Sequence, residues 1–245
     1  MIKNILNKLS SLGSKDYVDF EGLKLPKTRS NQGLSNHKDY VNSGIEQINF
    51  LVQKQLITPN TEVLDFGCGQ GRLLNTLKYS KTAFGHYTGL DTASKSLNWC
   101  KKYLQYADNI NFIHLAAENA RYNADAKGLQ ALPFEQDKFD LIFLNSVFSH
   151  MLADDISFYL SEFHKVLKPT GFVYLTAFVE ENVAAEEENP DNYLEKSTGA
   201  LHRVRFEKNY FFGLIQDQQF EVHEFHHQLI DRTKQSVVVL KKKDL

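Results

Sequence analysis

A glycine-rich turn directly behind a short apolar run constrains the fold of this 245-residue chain more than any other feature. The segment VLDFGCGQGRLL covers residues 63–74 and places Gly67, Gly69 and Gly71 at every second position. Glycine permits positive φ angles and lets a ligand approach the backbone. A helix that begins directly behind such a turn offers unpaired amides and a partial positive charge. We therefore expect a strand, a turn and a helix in this order. We also expect a ligand against the glycine backbone, because a turn that binds no ligand needs fewer glycines.

Strand-like and helix-like patterns alternate along most of the chain, which is typical of a parallel sheet covered on both faces. The last two predicted strands have no helix between them, so they predict an antiparallel hairpin at one edge. The pattern therefore indicates an α/β fold with a doubly wound, mostly parallel seven-stranded sheet. The predicted strands are TEVLDFG, HYTGLD, NINFIHLAA, FDLIFLNSVF, FVYLTAFV, FEVHEFHH and SVVVLKKK, with KPTG (168–171) as a turn before the fifth.

The two ends of the predicted α/β domain are less regular. Residues 1–44 are expected to form an N-terminal arm or lid, irregular from residue 14, and the main domain is expected to span 45–245. Within residues 1–13 the isoleucines and leucines recur at helical spacing, which favours a short helix packed on protein over a membrane-surface helix. A helix face from Ser43 onward is predicted from Ile45, Ile48, Leu51, Val52 and Leu56.

Residues 180–210 are predicted to be a lid-like insertion over an active site, because they carry no clean hydrophobic period. The segment begins with acidic residues that are expected to form a solvated face. These glutamates are Glu180, Glu181, Glu186, Glu187 and Glu188.

Composition excludes several classes of function. A formal net charge of −2 without a basic cluster argues against a nucleic-acid partner. The absence of an 18-residue apolar run argues against stable membrane insertion. Cys68 and Cys100 match neither a disulfide framework nor a zinc motif, so a reducing cytoplasmic setting is expected. The histidines of HEFHH are interpreted as structural rather than metal-binding, and a homodimer is left open.

The spacing of the glycines narrows the choice of cofactor. The nicotinamide fingerprint G-x-G-x-x-G would need its third glycine at position 72, which is Arg72. No tyrosine is followed by lysine four residues later, and no G-x-x-x-x-G-K-[ST] loop is present. A nicotinamide or phosphate-loop nucleotide site is therefore disfavoured.

The pattern D-x-G-x-G-x-G resembles the first motif of class I S-adenosylmethionine-dependent methyltransferases. The resemblance extends over roughly residues 45–180 and includes the acid that ends the second predicted strand. It also includes KVLKPTGFVYL, which is similar to the family's leucine–lysine–proline–glycine–glycine turn with Thr170 in place of the first glycine. The resemblance implies a Rossmann-like fold and S-adenosylmethionine as methyl donor, with S-adenosylhomocysteine (SAH) as product.

The resemblance also implies roles for individual residues. Asp65 would orient the glycine loop and reach the amino-acid part of the cofactor, and Asp91 would accept hydrogen bonds from both ribose hydroxyls. The alternative for Asp91 is a helix N-cap. Ala116 and Ala117 stand where many relatives carry an acid that meets adenine, and Glu118 is a substitute. The implied cofactor-binding set is Asp65, Gly67, Cys68, Gly69, Gly71, Asp91, Thr92, Ala117, Glu118, Asn145 and Ser146.

The methyl acceptor is less constrained than the donor. The chain reads NSVF where relatives that methylate adenine or amide nitrogen carry [DN]-P-P-[YFW], so base methylation is disfavoured and a small-molecule hydroxyl, carboxylate or amine acceptor fits better. A hydroxyl or carboxylate oxygen is the expected position of methylation. His150 is the candidate general base, with packing under the next helix as the alternative. Tyr193, His202 and Arg203 are candidate acceptor-binding residues. A non-catalytic cofactor-binding regulator and a protein or RNA methyltransferase remain alternative functions.

Overall fold

The computed structural model describes residues 16–28, 36–117, 128–193 and 196–243. The predicted helix within residues 1–13 and the candidate adenine contact Glu118 lie outside these ranges. None of the described helices is both long enough and apolar enough to cross a bilayer.

Strands and helices alternate through the described residues. A 3-10 turn lies at Phe148–His150. In chain order the elements are β1 (Tyr17–Phe20), β2 (Leu23–Pro26), α1 (His37–Gln53), β3 (Glu62–Phe66), α2 (Arg72–Ser80), β4 (His86–Asp91), α3 (Ser94–Tyr103), β5 (Ile110–His114), β6 (Phe139–Leu144), α4 (Ala153–Val166), β7 (Leu167–Glu180), β8 (Glu186–Glu188), β9 (Val204–Glu207), α5 (Lys208–Asp217), β10 (Phe220–Ile230) and β11 (Gln235–Lys242).

The main sheet has the strand order β10-β11-β7-β6-β3-β4-β5. The five strands from β7 to β5 are parallel, and β11 is antiparallel to both of its neighbours. The predicted doubly wound sheet with an antiparallel edge hairpin is therefore confirmed. Two short strands, β8 and β9, extend the sheet beside the end of β7, and the sequence did not predict them.

Helices cover both faces of the sheet, and each face has its own apolar core. On one face α1, α2 and α3 pack through side chains such as Leu51, Leu74 and Leu97. On the other face α4 and α5 contribute Ile156 and Phe211. Complete burial of side chains of this size stabilises the fold by about 1.5–3 kcal/mol each. Because both faces are buried, the central strands are mostly apolar, as in the LIFL end of β6.

The segment predicted to be irregular, residues 14–43, contains regular structure. Leu23 and Leu25 on β2 alternate inward and pack on Tyr40 and Val41, which builds a small separate core. Helix α1 begins at residue 37 because the Asn36 side chain accepts a hydrogen bond from the Asp39 amide at 2.9 Å. The prediction of a helix start at residue 43 was therefore wrong by two turns.

One residue predicted on the buried face of α1 lies on its outer side. Val52 is 47% exposed, whereas Leu51 is fully buried. Residues one apart in a helix face directions about 100° apart, so only one of the two can point at the core.

The predicted KPTG turn is part of a strand. Residues 168–171 belong to β7, and the register with β6 jumps from Phe139↔Leu167 to Leu141↔Phe172. A Cβ on Gly171 would lie 2.9 Å from the carbonyl oxygen of Asp140, so glycine lets the extra residues pass close to β6. The sequence signal for a turn therefore marks a bulge at the entry of β7.

The glutamates predicted to form a solvated face make structural contacts. Arg205 is 5% exposed, and its Nε donates to Glu187 at 2.8 Å while Nη1 lies 3.3 Å from Glu180. The Glu186 carboxylate accepts a hydrogen bond from the Ala153 amide at the start of α4, at 2.6 Å. These carboxylates fix β8 and β9 beside the end of β7, because leaving the buried Arg205 unpaired would be costly.

The contact between α1 and α2 yields a test of the packing. A Cβ on Gly44 would lie 2.1 Å from Thr76 Oγ1, whereas a Cβ on Gly213 in α5 meets nothing within 4 Å. We expect Gly44→Ala to lower the free energy of unfolding by about 1–3 kcal/mol through overpacking. The matched control Gly213→Ala should raise it by up to about 1 kcal/mol through helix propensity. Urea denaturation measures both values, and equal effects at the two positions would contradict this packing.

Candidate functional site

The glycine loop follows the carboxyl end of β3 and is hydrogen-bonded to the carboxyl end of β4. The amides of Gly67 and Cys68 both donate to the carbonyl oxygen of Leu90, at 2.8 and 3.0 Å. Gly67, Gly69 and Gly71 have φ angles of 77°, 52° and 73°. A Cβ on Gly67 would lie 2.5 Å from Val147 Cγ2. The glycines are therefore required by the backbone conformation and by close packing, in addition to any ligand.

The carboxylate of Asp91 holds the loop in place. One oxygen accepts from the Gly69 amide at 2.7 Å, and the other accepts from the Ala93 amide at 2.7 Å, just before α3. Burial raises the pKa of Asp91, while these two hydrogen bonds act in the opposite direction. The alternative of a helix N-cap at Asp91 is wrong, because Ala93 is the N-cap residue of α3 and the helix has no side-chain cap. A carboxylate has about four acceptor positions, so Asp91 can accept from further donors.

Asp65 is held below the loop in a buried environment. Its side chain is 3% exposed and accepts a hydrogen bond from the Tyr87 hydroxyl at 2.5 Å. Desolvation raises the pKa of Asp65 to about 7, although the Tyr87 hydrogen bond and the charge of Arg72 both lower it. Tyr87 lies on β4 and was not predicted from the sequence, because its contact with Asp65 depends on the pairing of β3 with β4.

The two cysteines lie on either side of the loop. The Cys100 thiol donates to the carbonyl oxygen of Gly69 at 3.4 Å, and the Cys68 thiol approaches the same oxygen at 3.8 Å. Burial raises the pKa of both thiols, so they are protonated at neutral pH. Cys68 was predicted from the motif, and Cys100 reaches the loop from α3.

The end of β6 is fixed by a polar network that includes α1. The Gln47 side chain donates to Asn145 Oδ1, and Asn145 Nδ2 lies 3.4 Å from Ser146 Oγ. The Ser146 amide donates to Thr176 Oγ1 at 2.8 Å. Ser146 has a φ of 57°, which turns the chain sharply out of the sheet. Asn145 and Ser146 were predicted, whereas Gln47 and Thr176 come from distant segments.

The remaining predicted cofactor residues lie near the end of β5. The carbonyl oxygen of Thr92 accepts from His114 Nε2 at 3.0 Å. Ala117 is buried, with 1% of its surface exposed. Because Glu118 lies outside the described residues, its proposed role has no structural account here.

His150 closes the 3-10 turn behind β6. Its Nδ1 donates to the carbonyl oxygen of Leu201 at 2.9 Å, which makes Nε2 the basic nitrogen of the neutral ring. The Leu201 amide donates in turn to Glu188 at 2.8 Å. The orientation of the imidazole is thus set by the segment between β8 and β9.

Two of the three candidate acceptor-binding residues meet each other. Arg203 is 8% exposed, and its Cζ lies 5.1 Å from the centre of the Tyr193 ring. The Tyr193 hydroxyl donates to the carbonyl oxygen of Thr233, in the turn between β10 and β11, at 3.2 Å. His202 Nδ1 accepts from the Thr198 amide at 2.8 Å. Tyr193 and Arg203 therefore lie together beside the edge hairpin.

Comparison with known proteins identifies the family. The sequence profile of a family described as a methyltransferase domain matches residues 57–229. The chain belongs to this methyltransferase family. The match includes the glycine loop, Asp91 and His150, and it extends into β10.

Individual methyltransferases are more distant. The chain is 24% identical over 194 residues to phosphoethanolamine N-methyltransferase from Plasmodium falciparum, covering 78% of this chain and 63% of that protein. It is 30% identical over 149 residues to arsenite methyltransferase from Aquipseudomonas alcaligenes, covering 60% and 41%. The matched segment thus spans less than two thirds of either curated relative.

A solved structure supports the fold. Magnesium protoporphyrin IX methyltransferase from Synechocystis, with bound SAH, superposes with a TM-score of 0.55 at 15% identity. The superposition covers 86% of this chain and 90% of that structure. At this identity the likeness supports the sheet order and the position of the helices, and nothing finer.

The buried Asp65 carboxyl predicts a pH-dependent stability. Its folded pKa of about 7 lies above the unfolded value near 3.8, so its contribution to stability is complete below about pH 4 and is lost as pH rises to about 7. As pH rises from 5 to 8, we expect the free energy of unfolding of Asp65→Asn to increase by about 2–3 kcal/mol relative to that of the parent. Urea denaturation across that range measures the difference. For the exposed control Asp231→Asn we expect a difference in the free energy of unfolding that does not change with pH over this range. The same behaviour in Asp65→Asn would refute the raised pKa of Asp65.

Proposed function

We propose that this protein transfers a methyl group from S-adenosylmethionine to a small-molecule acceptor, at a hydroxyl or carboxylate oxygen. Family membership supports methyl transfer. The observation that carries the proposal is the Asp91 carboxylate, fixed against the glycine loop by the Gly69 amide at 2.7 Å. This arrangement presents a hydroxyl-binding carboxylate and a side-chain-free backbone at one strand edge, where open α/β sheets bind ligands.

The described residues fit S-adenosylmethionine. Asp91 can accept from ribose hydroxyls in addition to its backbone donors, and Gly69 offers an approach to the backbone with no Cβ. The buried Asp65 suits the ammonium group of the amino-acid part, which would restore its ionised form. When bound, the sulfonium group supplies an activated methyl, so the protein's task is to align the acceptor oxygen with it.

His150 is the proposed general base for a hydroxyl acceptor. The hydrogen bond from Nδ1 to the Leu201 carbonyl fixes the tautomer, in which Nε2 is the basic nitrogen that would take the proton of the acceptor hydroxyl. If the acceptor is a carboxylate, it is already ionised and needs no base. In that case Arg203 or His202 would orient it.

Transfer of a labelled methyl group tests the proposal. S-adenosylmethionine labelled on its methyl group is incubated with the pure protein and a small-molecule extract of the source organism, and products are separated by size. We expect label in a small product, and its loss in Asp91→Ala. Label in protein or RNA would refute the small-molecule acceptor. SAH binding without any transfer would support a non-catalytic cofactor-binding protein instead.

Substitution of His150 tests the base. In His150→Asn the side-chain amide can still donate to the Leu201 carbonyl, but no basic nitrogen remains. We expect kcat to fall by about 10²–10⁴-fold with SAH affinity unchanged. The matched control is His86→Asn, on the exposed start of β4. Wild-type kcat in His150→Asn across pH 6–9 would exclude His150 as the base.

A further inference from the structure

The side-chain amide of Gln235, at the start of β11, is bound through its oxygen. The side chain is 4% exposed, and its Oε1 accepts from Thr176 Oγ1 at 2.6 Å and from Ser146 Oγ at 3.2 Å. Thr176 Oγ1 also accepts the Ser146 amide at 2.8 Å. Both lone pairs of the amide oxygen are used in this arrangement.

The amide nitrogen of Gln235 has no such partner. Within the described ranges Nε2 makes no hydrogen bond, although the residue is almost completely buried. Nε2 is not among the fully enclosed polar atoms that lack a partner, so it keeps contact with solvent. A buried amide held by its oxygen, with its nitrogen open to solvent, is a donor arranged for a ligand.

The surroundings of Gln235 belong to the candidate site. Its neighbour Ser146 ends β6, and the Gln47 side chain binds the adjacent Asn145. On the other side Tyr193 binds the carbonyl of Thr233, two residues before Gln235. Gln235 thus lies between Ser146, which belongs to the implied cofactor-binding set, and Tyr193, which is a candidate acceptor-binding residue.

A positive charge lies near the same strand ends. Arg72 directly follows the glycine loop, and within the described ranges its side chain makes neither a hydrogen bond nor an ion pair within 4 Å. Burial lowers the pKa of Arg72, and the charge of Arg232 in the β10–β11 turn lowers it further. Asp65, the nearby acid, has a pKa of about 7 and is an incomplete counter-ion at neutral pH. An anion bound at the Arg72 guanidinium would supply a counter-charge.

We propose that Gln235 and Arg72 bind an anionic group, a carboxylate or a phosphate, on the methyl acceptor. This inference rests on the proposed function and narrows its acceptor to an acidic small molecule. The guanidinium group can hold two oxygens of such a group, and the Gln235 amide can donate to a third or share one. The carboxylate of S-adenosylmethionine has the same chemistry, so the test must separate the two sources.

The first arm measures anion binding without turnover. Inorganic phosphate is titrated into SAH-saturated protein at constant ionic strength, with chloride as reference, and Tm is recorded. We expect phosphate to raise Tm, and the apparent Kd to weaken at least 10-fold in Gln235→Glu and Arg72→Gln. Gln235→Glu keeps the oxygen that accepts from Thr176 and Ser146 but replaces the donor by a negative charge. The exposed control Gln216→Leu should bind phosphate as the parent does.

Two results of this arm would overturn the inference. One is that phosphate does not raise Tm, or raises it equally in the parent and in all variants. The other is a loss of SAH affinity of 10-fold or more in Arg72→Gln, measured without phosphate, which would assign the anion site to the cofactor carboxylate. Unchanged SAH affinity together with lost phosphate binding supports the acceptor.

The second arm measures the charge of the acceptor itself. The small-molecule extract is separated by anion exchange before reaction, and each pool receives the protein and labelled S-adenosylmethionine. We expect the acceptor in the retained, anionic pool, and an acceptor found only in the neutral or cationic pool would overturn the inference. Absence of transfer in every pool would refute the proposed function, while the phosphate titration would still decide whether the anion site exists.

Discussion

The hydrogen bond from the Gly69 amide to the Asp91 carboxylate is the contact on which the site depends. It joins the loop behind β3 to the end of β4, and the Gly67 and Cys68 amides add two bonds to the Leu90 carbonyl. Because these strands are parallel neighbours, their carboxyl ends meet at one edge of the sheet. The position of α2, and therefore of Arg72 at its start, follows from this junction.

The site concentrates polar groups that folding alone would not favour. Asp65 is buried with a pKa near 7, and Arg72 makes no ion pair within the described ranges. Gln235 is buried with its amide nitrogen unused by any described residue. Each of these groups loses hydration when the chain folds, and each would recover interactions from a charged or polar ligand. Such a loss of folding stability at buried polar groups is typical of functional sites, where the same groups bind a ligand.

Sequence patterns predicted the sheet and most helices, because apolar periodicity reports directly which face of an element is buried. They failed where pairing depends on distant segments. The β1–β2 hairpin is stabilised by Tyr40 and Val41 on α1, and the KPTG bulge is accommodated by the close approach of Gly171 to β6. The same reason explains the site residues that the sequence missed. Gln47 meets Asn145, 98 positions away, and Gln235 meets Ser146, 89 positions away.

The central claim is that the glycine loop and Asp91 form a cofactor site for the S-adenosyl group. Calorimetric titration of SAH into the protein, into Asp91→Asn and in the presence of NADH tests it most directly. We predict saturable one-to-one binding of SAH that NADH does not affect. Binding should weaken at least 10-fold in Asp91→Asn, because the ribose hydroxyls lose a carboxylate acceptor. Absence of SAH binding, equal binding in Asp91→Asn, or displacement of SAH by NADH would contradict it.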